Sequence, residues 1–109
     1  MDPHHDRIER FSLAAHRLAV ARLREQPERL HEARDVIRRW RAQAQQRPAS
    51  CDPYWDEWDR LLDEGVDAVE QVVCAAGDHA AVLRSVSPLG RFVSVAERNR
   101  MLREARDNE

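Results

Sequence analysis

The chain contains no lysine: all eighteen of its basic residues are arginine. A GC-rich coding genome produces so complete an absence, whereas arginine-specific recognition of phosphate or carboxylate needs Arg at particular positions and does not require lysine to vanish elsewhere. Glycine is scarce, with three residues in 109, and there is one tyrosine. A sheet protein needs turn residues about every 8 to 12 positions, with β-branched or aromatic runs between them, so all-β folds are excluded. Cys51 and Cys74 stand far apart, which leaves neither a zinc knuckle nor a redox CxxC. A reduced, cytoplasmic setting is the expectation. No apolar run approaches the about 18 residues that cross a bilayer. The start Met1-Asp2-Pro3-His4-His5-Asp6 is polar and reads as neither signal peptide nor anchor.

What is present is charge and helical periodicity. With 35% charged and 42% apolar residues, the balance fits long helices with wet outer faces. It predicts an all-α bundle of five to six helices, a single domain over 1–109. The charge is unevenly placed: residues 1–48 carry eleven Arg against seven acids, and residues 52–78 carry nine acids against Arg60 alone. The stretch Arg47-Pro48-Ala49-Ser50-Cys51 reads as a short internal linker near 47–52 between the two parts.

The spacings place the helices. From Asp6, Ile8, Phe11, Ala15 and Leu18 recur at threes and fours, with Ala14 and Ala21 widening the stripe. Pro27 loosens that helix and suits the start of the next, in which Leu30, Ala33, Ile37, Trp40 and Ala44 face a core and Arg34, Arg38, Arg39 and Arg41 the other side. Asp52 and Pro53 open a third helix with the stripe Tyr54, Trp55, Trp58, Leu61 and Leu62, which Gly65 ends or kinks. Val66, Val69, Val73 and Ala76 predict a fourth despite their β-branched bias. Gly77 stops it, and Asp78 is expected to cap a fifth through Val82, Leu83 and Val86. Ser87-Pro88-Leu89-Gly90 reads as a loop. Ser94 and Glu97 form a capping box for a last helix running towards Asp107.

Catalytic signatures are missing: there is no G-x-S-x-G, no phosphate-cradling glycine loop and no H-E-x-x-H. No catalytic residue, cofactor or metal is assigned. His4, His5 and Asp6 are competent metal ligands, but an open terminal tail does not fix their geometry. Arg10 and His16 are spaced as the Arg–His pair is in RNA-cleaving helical domains of the HEPN type. Phe11 stands where such domains usually carry a polar residue, so His16 reads first as a surface or interhelical residue. The acids from Asp56 to Asp67 read as a solvated face or as a patch for a basic partner. Tyr54, Trp55 and Trp58 read as core, with Tyr54 and part of either indole free to meet a partner. Arg34, Arg38 and Arg41 would be the phosphate contacts of a nucleic-acid-binding regulator, which is the alternative reading. Wide apolar faces also suit a two-fold homodimer.

Several strings, taken in order, carry a resemblance. They are Phe11-Ser12-Leu13-Ala14-Ala15-His16-Arg17, Ala21-Arg22-Leu23-Arg24, Trp40, Trp58 with Leu61-Leu62, Leu83-Arg84, Ser87-Pro88-Leu89, Val93-Ser94 and Glu97-Arg98. Together they resemble a family of small bacterial antitoxin-like proteins, encoded beside a toxin often of nucleotidyltransferase or PIN-nuclease type. Many of that family carry an extra helix-turn-helix domain ahead of this region, which this sequence does not contain. The resemblance implies a non-catalytic cytoplasmic protein that neutralises a cognate toxin. Partner contact is then expected at His16 and Arg17, at Tyr54, Trp55 and Trp58, and at the turn holding Arg84, Ser87, Pro88, Leu89 and Phe92.

Overall fold

A computed structural model of the chain describes residues 3–44 and 52–107, and every described segment is helical or a short connection. Six α-helices follow one another: α1 Pro3–Glu25, α2 Leu30–Ala44, α3 Asp52–Glu64, α4 Val66–Val73, α5 Asp78–Ser85 and α6 Val95–Asp107. Two 3₁₀ segments, Pro27–Arg29 and Pro88–Phe92, join α1 to α2 and α5 to α6. The fold is thus the all-α bundle that the composition predicts. The linker expected at 47–51, with Cys51, lies outside the described residues, as do the side chains of His4, His5, Ala44 and Asp52.

The turns follow from residues that constrain the backbone. Pro27 opens the first 3₁₀ segment, where its fixed φ suits a helical start and its missing amide costs nothing. Gly65 and Gly77 both have φ above +100°, which L side chains rarely adopt. They therefore fix the breaks before α4 and before α5. Asp78 was expected at the cap of α5, but Gly77 occupies that position and Asp78 is the first helical residue. Its carboxylate there complements the positive end of the helix. Ser87-Pro88-Leu89-Gly90, expected as a loop, enters the second 3₁₀ segment. Ser87 Oγ accepts from the Leu89 amide at 3.0 Å, and Pro88 sets the first φ. Ser94 and Glu97 form the predicted capping box, with Glu97 Oε1 accepting from the Ser94 amide at 2.8 Å and Ser94 Oγ from the Glu97 amide at 3.1 Å.

The long α1 is the axis of the packing and meets α4, α5, α6 and the second 3₁₀ segment. Its deepest face is His16, Ala19, Val20 and Leu23, while Ile8, Ala14 and Ala21 are exposed. The predicted stripe Ile8, Phe11, Ala15, Leu18 and the buried set both have helical spacing, so periodicity alone could not choose the phase; the many-sided packing of α1 does. The helix also begins earlier than Asp6, at Pro3. On α2, Ala33 and Ile37 are buried as the stripe predicts, with Leu30 and Trp40 packed at its edge. α4 ends at Val73, short of Ala76, which is exposed.

The uneven charge folds on itself. Arg24 of α1 reaches Asp67 and Glu70 of α4, at 2.6 and 3.0 Å. Arg34 of α2 meets Asp63 of α3 at 2.6 Å, and Arg41 meets Asp56 and Asp59 at 2.8 and 2.9 Å. Exposed pairs of this kind contribute only about 0 to 1 kcal/mol each. Their main effect is on pairing: they set the basic α1 and α2 against the acidic α3 and α4, and like-charge alternatives would repel.

One ion pair locks α6. Arg22 holds the Glu97 carboxylate through both of its terminal nitrogens, and Nη1 also donates to Phe92 O at 2.6 Å. The Arg22 hydrogen bonds, helped by the Ser94 amide, lower the Glu97 pKa from 4.5 to about 2. A depressed carboxylate stabilises the fold fully above 4.5 and loses that contribution as pH falls through about 2. Thermal melts over this window should show the wild type losing stability relative to Glu97→Gln as the acid end is approached. Parallel curves for the two proteins would contradict the lock.

Candidate functional site

A groove opens where α1, the end of α5, the second 3₁₀ segment and the start of α6 meet. Its cavity has a volume of about 180 Å³ and is lined from α1 by Phe11, Ser12, Ala15, His16 and Ala19. Arg84 of α5, Ser87, Leu89, Gly90 and Val93 complete the floor and far wall, and Arg98 of α6 borders the mouth. The α1 residues share one face because positions spaced by three, four and seven lie within about a third of the helix circumference. Ile8 precedes Phe11 by three positions and is 45% exposed, and Leu102 follows Arg98 by four and is 39% exposed. Helical phase therefore carries apolar surface outward along both helices from the mouth.

Arg84 is the structural centre of this site. It is 7% exposed, yet its guanidinium is well employed: Nη1 donates to Val73 O at 2.7 Å and Ala75 O at 3.0 Å, and Nη2 to Glu9 Oε2 at 3.1 Å. Val73 is the last residue of α4 and Ala75 lies two residues beyond it, and a helix end leaves acceptors unpaired where partial negative charge accumulates. Arg84 thus closes α4 and ties it to α1 through Glu9.

His16 is 9% exposed. Its Nδ1 lies 2.7 Å from Ser12 O, and because a carbonyl only accepts, Nδ1 carries the proton and donates. Burial holds the His16 pKa below its ordinary 6.5, the Ser12 hydrogen bond opposes this, and the charge of Arg84 adds to the lowering. The ring is therefore neutral near pH 7, with a bare lone pair on Nε2. That atom is buried and has no hydrogen-bond partner.

The residues expected at a partner surface divide into two groups. His16, Arg84, Ser87 and Leu89 come together in the groove, and Arg17 is exposed on α1. Trp58 is fully buried and donates Nε1 to Leu83 O at 3.0 Å, so it serves the core and not a partner. Trp55, Pro88 and Phe92 are also buried and do not line the groove. Tyr54 is half-buried on α3 and does not line the groove. Cys74, expected inside a helix, follows the end of α4 and is half-buried, which raises its thiol pKa.

Arg10 and His16 have different hydrogen-bond partners in the structure. Arg10 donates to Ala105 O of α6 at 2.9 Å, while His16 turns into the groove with its free nitrogen sealed from solvent. A base acting on RNA needs hydrogen-bond reach to the attacking hydroxyl.

The nucleic-acid alternative meets a similar obstacle. A second hollow of about 380 Å³ between α2 and α3 is lined by Arg34, Ile37, Arg38, Arg41, Asp59 and Asp63. Its arginines face carboxylates of this chain, Arg38 meeting Asp35 at 3.0 Å as well as the α3 pairs already described. Phosphate would have to displace them. Asp56 and Asp59 pair with Arg41 and Asp63 with Arg34, and all three acids remain well exposed, so the α3 acids form a solvated face that the α2 arginines partly neutralise. No helix among the described residues is long and apolar enough to cross a membrane.

Comparison with known proteins gives no match: no protein-family model, curated protein or solved structure is similar to the chain.

Proposed function

We propose that the chain is a non-catalytic antitoxin-like protein that binds a cognate toxin through the groove between α1, α5, the second 3₁₀ segment and α6. The observation that supports this reading is convergence. Residues far apart in the sequence, Phe11-Ser12 with Ala15-His16, Arg84, Ser87 with Leu89, Val93 and Arg98, line one groove, and they belong to part of the strings that carry the resemblance to antitoxin-like proteins, the strings at Ala21–Arg24, Trp40 and Trp58–Leu62 lying elsewhere. The expected toxin is of nucleotidyltransferase or PIN-nuclease type, held so that its active site or its closing motion is blocked.

The test is biological as well as physical. A protein captured from native lysate by the tagged chain, after nuclease treatment, is expressed alone and then together with this chain. Growth arrest by the captured protein, relieved by co-expression, is the expected result. A captured protein with no effect on growth, or an arrest that co-expression leaves unchanged, would overturn the antitoxin reading.

A further inference from the structure

Among the described residues three large apolar side chains stand exposed: Ile8 at 45%, Val95 at 74% and Leu102 at 39%. Helical phase sets all three along the same groove. Ile8 precedes the lining residues Ser12 and Ala15 by four and seven positions, so it continues their face of α1. Val95, Arg98 and Leu102 follow one another at spacings of three and four on α6, and Arg98 borders the mouth, so they form one stripe beside it. Single exposed apolar residues need no explanation, but several gathered around an apolar hollow mark an interaction surface.

The charge on that stripe is positive and uncompensated. Arg98 donates to a backbone carbonyl, Gly90 O at 3.3 Å, and neither it nor Arg106, one turn beyond Leu102, pairs with a carboxylate among the described residues. The nearby acids are engaged elsewhere: Glu97 is held by Arg22, Glu104 lies 3.9 Å from Arg100, and Glu9 pairs with Arg84. Asp107 directly follows Arg106, and adjacent helical positions do not face each other. Val95, Arg98, Leu102 and Arg106 thus alternate apolar and cationic positions along α6. Here the α6 arginines differ from those of α2, which face carboxylates of this chain.

A surface of this kind fits a partner that brings apolar anchors with carboxylates beside them. The backbone decides its form. α1 and α6 satisfy their amides and carbonyls internally, so an extended peptide finds no ladder of partners along these walls, whereas a helix satisfies its own backbone and presents anchors at every third or fourth position. Length agrees as well. Arg22 meets Glu97 and Arg10 meets Ala105 O, so α1 and α6 run antiparallel and place Ile8 and Val95 towards opposite ends of the groove. A helix of about four turns spans them.

We propose that the groove and its α6 rim bind an acidic amphipathic helix of a partner protein, its apolar stripe lying against Ile8, Leu102 and Val95 and its carboxylates meeting Arg98 and Arg106. That the partner is a toxin rests on the function proposed above; the acidic helix follows from the surface itself.

Selection from a phage-displayed library of random peptides of about 16 residues, roughly 24 Å long as a helix, tests this on the full chain. Peptides enriched on the wild type should carry apolar residues at helical spacing flanked by Asp or Glu. They should bind the double variant Ile8→Asp, Leu102→Asp at least about tenfold more weakly, and their binding to Arg98→Gln, Arg106→Gln should lose most of its salt dependence. Should the first variant fail to fold, the second decides. No enrichment, enriched peptides that contain central prolines or lack acids, or binding that both folded variants retain unchanged overturns the proposal. A wild-type dimer that Ile8→Asp, Leu102→Asp splits in sedimentation overturns it too, giving the face to a second copy of this chain. Each of these failures leaves the growth-arrest result untouched, so the two readings fall separately.

Discussion

Trp58→Ala is expected to destabilise the protein by about 3 to 5 kcal/mol, as full truncation of a buried indole does elsewhere. The indole is wholly buried beside Leu62, Val69 and Leu83 in the core, and its removal also strands Leu83 O, which accepts from Nε1. A small domain has only about 5 to 15 kcal/mol of stability in total, so this one change should remove a large part of it. Urea denaturation followed by circular dichroism reads the effect without depending on tryptophan fluorescence. A loss below about 1 kcal/mol, within the range of an ordinary surface change, would show that Trp58 is not the core residue described.

Arg84→Met is the second large effect, expected at about 3 kcal/mol, the lower end of the range for breaking a buried ion pair. The methionine fills the stem volume but leaves Val73 O, Ala75 O and the Glu9 carboxylate without their donor. The lower end applies because the Glu9 side chain is a third exposed and water can take up part of its charge. Adding Glu9→Gln to Arg84→Met should recover part of the loss by removing the stranded charge, a coupling that a double-mutant cycle measures directly. Strictly additive losses would contradict the pairing. Both substitutions also act through folding, so loss of a partner in either one would not report contact. Variants for partner binding belong at the rim, at Ser87 and Arg98.

Much of the architecture was legible because it is set by local chemistry. Pro27, Gly65 and Gly77 constrain φ wherever they stand, and the Ser94–Glu97 box satisfies amides within four residues, so no distant contact had to be known. The phase of α1 was not legible. Ile8, Phe11, Ala15 and Leu18 make as good a stripe as His16, Ala19, Val20 and Leu23, and only packing on several sides selects the second. The charge asymmetry was visible, but its meaning was not: Arg34 and Arg41 look equally suited to phosphate or to carboxylate until α3 is laid beside α2. Arg84 and Glu9 were the hardest to read. The partners of Arg84 include two backbone carbonyls, which leave no mark on side-chain pattern, and Glu9 stands in the sequence as one more surface acid. His16, read as surface or interhelical, is the interhelical residue, and its missing donor appears only in three dimensions.

The most direct test of the contact surface compares three folded proteins in the same capture experiment: wild type, Ser87→Arg at the rim of the groove, and the triple variant Arg34→Ala, Arg38→Ala, Arg41→Ala. Circular dichroism establishes that each is folded before binding is scored. The groove reading predicts that Ser87→Arg loses the partner at least about tenfold while the triple variant retains it, since a new charged side chain blocks the mouth and the α2 arginines already face carboxylates. Retention by Ser87→Arg with loss in the triple variant would contradict it and move the contact surface to α2.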